Sequence, residues 1–179
     1  MIITISGPPG SGKTTVSKEL SKNLNFRYIS GGEIFRSMAR EKGMTIEEFS
    51  RYAEKDREID RKIDDFLLDT IKKDDDIVVA SRLSGWLAFK NNINAFKVYI
   101  DASRETRIKR IIQRDSGIRP EDVIMREESE RKRYMEYYGI NIDDLSIYDI
   151  VLNTDNMGVG EVTGRIEGAF ERWMRSSFY

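Results

Sequence analysis

The chain has 179 residues, with 30 Lys and Arg against 31 Asp and Glu, a formal net charge of −1, 39% apolar residues and 34% charged residues. That length fits one domain with a sizeable core; the balanced charge gives no basic field for nucleic acid, and no apolar run is long enough to span a bilayer. Neither cysteine nor histidine occurs, which excludes disulfides and thiolate nucleophiles, removes the commonest general base and metal ligand, and leaves carboxylates, Lys, Arg, hydroxyls and a hard cation, a set suited to phosphoryl transfer.

The opening run Ile2–Ser6 is a strand, too short and too poor in basic residues for a signal peptide. A cytoplasmic location is the expectation. Gly7-Pro8-Pro9-Gly10-Ser11-Gly12-Lys13-Thr14 follows directly and satisfies G-x-x-x-x-G-K-[ST]. The spacing has a mechanism: the glycines let backbone N–H groups turn inward on an anion. The helix over 13–24 aims its positive end at the same point. Lys13 reaches the outer phosphates, and the Thr14 hydroxyl is the candidate ligand for Mg²⁺. Gly7 to Thr15 are therefore the candidate nucleotide-binding residues.

Arg27–Ser30 reads as a second strand that Gly31-Gly32 breaks, with a helix from Glu33 to Glu41. Thr45-x-x-Glu48 is a capping box that opens another helix. Ile59, Ile63, Phe66, Leu67 and Ile71 mark the apolar face of a longer one. Residues 72–76 read as a solvated turn. The unbroken apolar run 77–80 suits the middle of a parallel sheet. Residues 96–100 form a fourth strand ending at Asp101, and a helix follows over 104–115. Ser116–Pro120 interrupts it, and Pro120 stands at the first turn of a helix that Gly139 stops. Tyr148–Leu152 is the fifth strand. The last helix buries Val159, Val162, Ile166, Ala169, Phe170 and Trp173. The alternation predicts an α/β fold with a parallel sheet, whose ligands bind at the carboxyl ends of the strands.

Four further groups lie near those ends. Gly32 and Arg36 follow strand two, where a glycine admits a ligand and a guanidinium grips a phosphate. Arg82 follows the central strand, and a charge beside a buried strand end needs a partner such as phosphate; Trp86 next to it suits packing. Seven arginines (107, 110, 114, 119, 126, 131 and 133) surround the break at 116–120. Of these, Arg110, Arg114 and Arg126 are the candidates to contact a transferring phosphoryl group. The acidic residues among them also fit a salt-bridged surface. Asp56, Asp60 and Asp64 recur on one helix face. They suit either a solvated surface or the amino group of a base, as carboxylates accept from cytosine N4. The central strand ends without the acidic residue that often supports Mg²⁺, so Glu33 and Asp101 stand as alternatives.

With these residues in place, the chain resembles the nucleoside monophosphate kinases and, more narrowly, the archaeal-type cytidylate kinases. The specific stretch is Arg126-Glu127-Glu128-Ser129-Glu130-Arg131-Lys132-Arg133-Tyr134, then Tyr137–Ile140 and Asp144–Asp149. The resemblance runs from the first strand to about Asp155. It implies a three-layer αβα P-loop kinase fold with five parallel strands. The core would be 1–29, 70–114 and 126–179, with a monophosphate-binding insert over about 30–69 and a lid over about 115–125. It implies transfer of the ATP γ-phosphate to CMP or dCMP with Mg²⁺. Gly7–Thr15 would hold ATP. Gly32, Arg36, Asp56, Asp60, Arg82 and Arg131 would serve the acceptor. Lys13, Arg82, Arg110, Arg114 and Arg126 would serve the transfer. One departure is plain: Ala80-Ser81 precedes Arg82 where the family pattern carries Glu-Gly, which puts an acidic role at that turn in doubt. Small-molecule substrates, no nucleic acid, no membrane and a monomer are expected. The rivals are AMP, UMP or a small metabolite such as shikimate as acceptor, and a GTPase-type switch. The switch lacks its N-K-x-D segment, because Asn153-Thr154-Asp155 does not supply one.

Overall fold

A computed structural model describes residues 1–178. Five strands, β1 (Ile2–Ser6), β2 (Arg27–Ser30), β3 (Ile77–Ala80), β4 (Phe96–Asp101) and β5 (Ile150–Asn153), form one sheet in the order β2-β3-β1-β4-β5. Every pairing is parallel; Ile5 pairs Ala80 on one side and Val98 on the other. All five carboxyl ends therefore lie on one edge. Order reverses between β1 and its neighbours, which opens a crevice at the end of β1.

Strand alternation sorts the core into two clusters. Ile3, Ile5, Val78, Val98 and Ile100 point toward α1 (Lys13–Leu24) and α8 (Val159–Phe178), where Val16, Leu20, Val162, Ile166 and Phe170 meet them. Ile77 and Val79 point the other way, toward α2 (Gly31–Glu41), α3 (Ile46–Ala53), α4 (Arg57–Lys73), α5 (Ser84–Lys90) and α7 (Pro120–Tyr138). The result is the expected three-layer αβα arrangement. α6 (Arg104–Arg114) follows β4 and leads through 115–119 into α7.

Several expectations are corrected. Gly31 and Gly32 are the first turn of α2, because the Ser30 hydroxyl accepts from the Glu33 amide at 3.2 Å and caps the helix one step earlier. Helix α5 was not anticipated; its seven residues are too few for a periodic stripe. β5 starts two residues late, because Tyr148 is held in the preceding turn with its ring 5.0 Å from that of Tyr99. Phe66 and Val159, assigned to buried faces, are exposed. Trp86 is buried packing. The capping box at Thr45 and Glu48, Pro120 at the start of α7 and Gly139 at its end all stand as predicted.

Candidate active site

The loop after β1 is shaped by what surrounds it. A Cβ on Gly7 would sit 2.1 Å from the Ile100 carbonyl oxygen, so only glycine can pass there. Gly10 has φ +79° and would place a Cβ 2.5 Å from the Arg107 carbonyl oxygen. Arg107 is buried beneath the loop, donates to the carbonyls of Ala102 and Pro9, and pairs with buried Glu127. It braces the loop and does not face a ligand. The Lys13 amino group donates to the carbonyls of Gly7 (2.6 Å) and Pro8 (2.9 Å), folding back over the loop. Burial holds the Lys13 ammonium well below its ordinary value, and Arg82 pushes the same way. The negative charge of an incoming phosphate opposes both effects and favours the ammonium form. Among the described residues the buried Ser11 hydroxyl has no hydrogen-bond partner, a donor left for an oxyanion.

A cavity of about 610 Å³ extends from this loop along the strand ends. It collects Pro9 to Thr15, Gly32, Arg36, Asp60, Arg82, Arg110, Arg114 and Arg126 from the sequence-predicted residues. Arg36 and Arg82 approach from α2 and from the turn after β3. Arg110 donates to the carbonyls of Gly10 and Thr154, tying α6 to the loop and to the segment after β5. Arg36 is held below its ordinary value by burial and by Arg114 and Arg126, which shows how closely these cations crowd.

Glu130, from the middle of α7, is the carboxylate among them. It accepts from Arg82 Nε at 3.2 Å and lies 3.6 Å from Arg126 Nε, and all three side chains are largely buried. Burial opposes its ionisation, but Arg126, Arg82, Arg133 and Lys13 together hold it below its ordinary value. Among the described residues Arg126 Nε is buried without a hydrogen bond. The centre of the cavity is thus a converging set of cations around one internal anion, with donors unspent.

The far end of the cavity has different chemistry. Arg133 is fully buried; its Nε donates to Asp60 at 2.7 Å and its Nη1 to Ser129 Oγ at 2.7 Å, and its guanidinium lies 5.5 Å from the Phe35 ring centre. Asp64 stands one turn further along α4 and accepts from the Tyr138 hydroxyl at 2.7 Å. Asp60, Asp64, Arg133 and Tyr134 all line the cavity. Gly7 and Pro8 do not line the cavity, their carbonyls accepting from Lys13 instead, and two predicted acceptor-binding residues are not brought here. Asp56 caps α4 by accepting from the Glu58 amide. Arg131 is exposed on the opposite side of α7, bound to Asp143 at 2.9 and 3.2 Å. Neither lines the cavity. Glu130, Arg133, Tyr134, Thr154 and Met157 do line it and were not chosen from sequence.

Among the described residues no group of three or more acidic side chains forms a metal cage. Near the loop the cavity offers a hard cation the hydroxyls of Ser11, Thr14 and Thr15 and the carboxylate of Glu33, the last paired with Lys18 at 2.8 Å. This sparse set fits Mg²⁺, which keeps several waters and takes other ligands from phosphates. Asp101, the other alternative, accepts from the Ala102 amide and does not line the cavity.

Residues 2–156 match the cytidylate kinase-like family. The chain belongs to that family. Among its relatives, the cytidylate kinase of Sulfurisphaera tokodaii is 45% identical over 170 residues, covering 93% of each chain. The cytidylate kinase of Methanocaldococcus jannaschii is 42% identical over 175 residues, covering 96% of this chain and 98% of that one. Solved structures extend the likeness to the fold alone. A gluconokinase from Sinorhizobium meliloti superposes with a TM-score of 0.69 at 11% identity, covering 97% of this chain and 93% of that one. Shikimate kinase from Acinetobacter baumannii does so with 0.60 at 15%, covering 99% and 95%. Family membership explains why the phosphate loop and the arginine-bearing α7 occur together, and it makes the protein a phosphotransferase. No helix among the described residues is long and apolar enough to cross a membrane.

Proposed function

We propose that this protein transfers the γ-phosphoryl group of ATP to CMP or dCMP, acting as a monomer. The observation that carries the proposal is the single cavity in which a phosphate loop, buried guanidinium groups and an acid-lined far end follow one another. ATP phosphates occupy the loop 7–15. The acceptor phosphate lies between Arg36 and Arg82, and its base reaches toward α4 and α7. An acceptor phosphate oxygen attacks the γ-phosphorus, the bond to the β,γ-bridging oxygen breaks, and ADP leaves with that electron pair. The attacking oxygen is already anionic, so no strong general base is required. Alignment and charge neutralisation by Lys13, Arg82, Arg110, Arg114 and Arg126 carry the catalysis. Mg²⁺, held through Thr14 and the phosphates, supplies further charge neutralisation when bound.

Residues 30–69 serve as the monophosphate-binding insert and 115–125 as the lid. Arg114 and Arg126 flank that lid, so its closure brings them onto the γ-phosphate and keeps water from taking the acceptor's place. Lys13→Ala is expected to lower kcat by about 10²–10³-fold with the fold retained by circular dichroism. A panel of CMP, dCMP, UMP, AMP and shikimate with ATP tests the acceptor. CMP or dCMP ranks first on this reading, and another leading acceptor overturns it.

A further inference from the structure

Asp60 and Asp64 both line the base-facing end of the cavity, yet they are not equivalent. The Asp60 carboxylate is committed to Arg133, with Oδ2 at 2.7 Å from Nε and Oδ1 at 3.5 Å from Nη2. Asp64 is 7% exposed and uses only Oδ2, which accepts from the Tyr138 hydroxyl. Its Oδ1 makes no hydrogen bond among the described residues. Asp64 lines the cavity, and a carboxylate oxygen without a partner there is positioned to meet the edge of a base.

We propose that Asp64 Oδ1 contacts the exocyclic group at position 4 of the acceptor pyrimidine, and that one proton on this carboxyl converts a cytosine-only pocket into one that also admits uracil. This rests on the cytidylate kinase reading above. The chemistry follows from donor and acceptor types. Cytosine presents an amino donor at position 4 and uracil a carbonyl acceptor. An ionised carboxylate only accepts, so it pairs with the amino group and repels the carbonyl. The neutral acid has both a donor and an acceptor. It donates to the uracil oxygen, or turns its hydroxyl toward Tyr138 and accepts from the cytosine amino group.

The surroundings place this proton exchange within reach of neutral solution. Burial pushes the Asp64 carboxyl up to about 7; the Tyr138 hydroxyl draws it down, while Asp60 and the exposed Asp65 on the same helix raise it and Arg133 lowers it. From the other elements, Tyr134 on α7, Glu33 and Arg36 on α2 and Arg82 beyond β3 share its cavity, while α3 and α5 contribute no lining residue. Tyr138 is a positioning residue: it fixes Oδ2 and favours the ionised form.

The test is the ratio of kcat/KM for CMP to that for UMP, measured with ATP from pH 5.5 to 8.5. The acceptor phosphate titrates near pH 6 in both nucleotides, so its effect cancels in the ratio. The ratio is expected to rise with pH by roughly tenfold, with its midpoint near that of Asp64. Asp64→Asn, whose amide has both a donor and an acceptor, should give a low, pH-independent ratio. Tyr138→Phe should move the midpoint to higher pH; a merely structural loss lowers both turnovers and leaves the midpoint in place, which counts against the assignment. A flat wild-type ratio, or an Asp64→Asn ratio equal to wild type, with CMP still leading the panel, overturns this inference alone. Failure of both pyrimidine nucleotides against AMP sinks the cytidylate reading and this inference together.

Discussion

Replacing Asp60 by alanine removes the carboxylate from a pair whose side chains are 2% and 4% exposed. Arg133 would keep its bond to Ser129 and its place 5.5 Å from the Phe35 ring, but with only 2% of its side chain exposed little hydration can replace the lost carboxylate. Breaking a buried pair by removing one partner costs about 3–5 kcal/mol, because a desolvated charge is left unpaired. For a chain of this size each kcal/mol moves the midpoint by roughly 2–4 °C, so Tm should fall by about 6–20 °C. Urea unfolding at neutral pH measures the free energy directly. The decisive comparison is a double-mutant cycle with Arg133→Met. Once both charges are gone the site becomes apolar, and the double variant should recover much of the loss, with a coupling of at least about 2 kcal/mol. A coupling near zero, or a single-variant cost under about 1 kcal/mol, would refute the claim that this pair joins α4 to α7.

Two further outcomes follow from buried carboxylates. Glu130→Gln leaves Arg82, Arg126 and Lys13 facing one another without their anion and should lower stability by about 3 kcal/mol. Millimolar inorganic phosphate should restore more stability to this variant than to wild type in a thermal-shift titration; equal gains would show that Glu130 does not stand in for a ligand phosphate. Asp64→Asn should stabilise the protein at pH 8. The folded carboxyl is raised from 3.8 to about 7, so the folded state binds the extra proton between those values. Stability is then lost as pH rises through that window. The loss reaches at most about 4 kcal/mol above it. Urea midpoints at pH 5 and 8 read this; a variant gain no larger at pH 8 than at pH 5 would contradict it.

Much of this architecture was legible because its signals are local. The phosphate loop is eight adjacent residues between a strand and a helix. Arg82 follows a strand end that the apolar run 77–80 identifies, and Arg36 follows the break at Gly31-Gly32. The far end of the cavity was less legible because it is assembled across long separations: Asp60 and Arg133 are 73 positions apart, and Asp64 and Tyr138 are 74 apart. Arg133 and Arg131 look alike in a run of mixed charge, yet two positions on a helix turn one inward to Asp60 and the other outward to Asp143. Asp56 belongs to the same four-residue spacing as Asp60 and Asp64, but it precedes the first turn of α4 and is spent on capping it. A local signal existed for the others. Asp60 and Asp64 each follow an apolar residue of the Ile59, Ile63, Leu67 stripe, and an acid bordering a buried stripe marks a partnered or functional group.

Helix α7 is a rod of 19 residues, about 28 Å from end to end. It starts after the break over 115–119, holds Glu130 at its midpoint, and finishes with Tyr138 against Asp64. A rod pivots as a whole, so tilting its first turn necessarily displaces its last. With ATP and the pyrimidine acceptor at its two ends, as proposed above, the two cannot dock as strangers. Whatever free energy one gains by settling this lever, the other feels in equal measure.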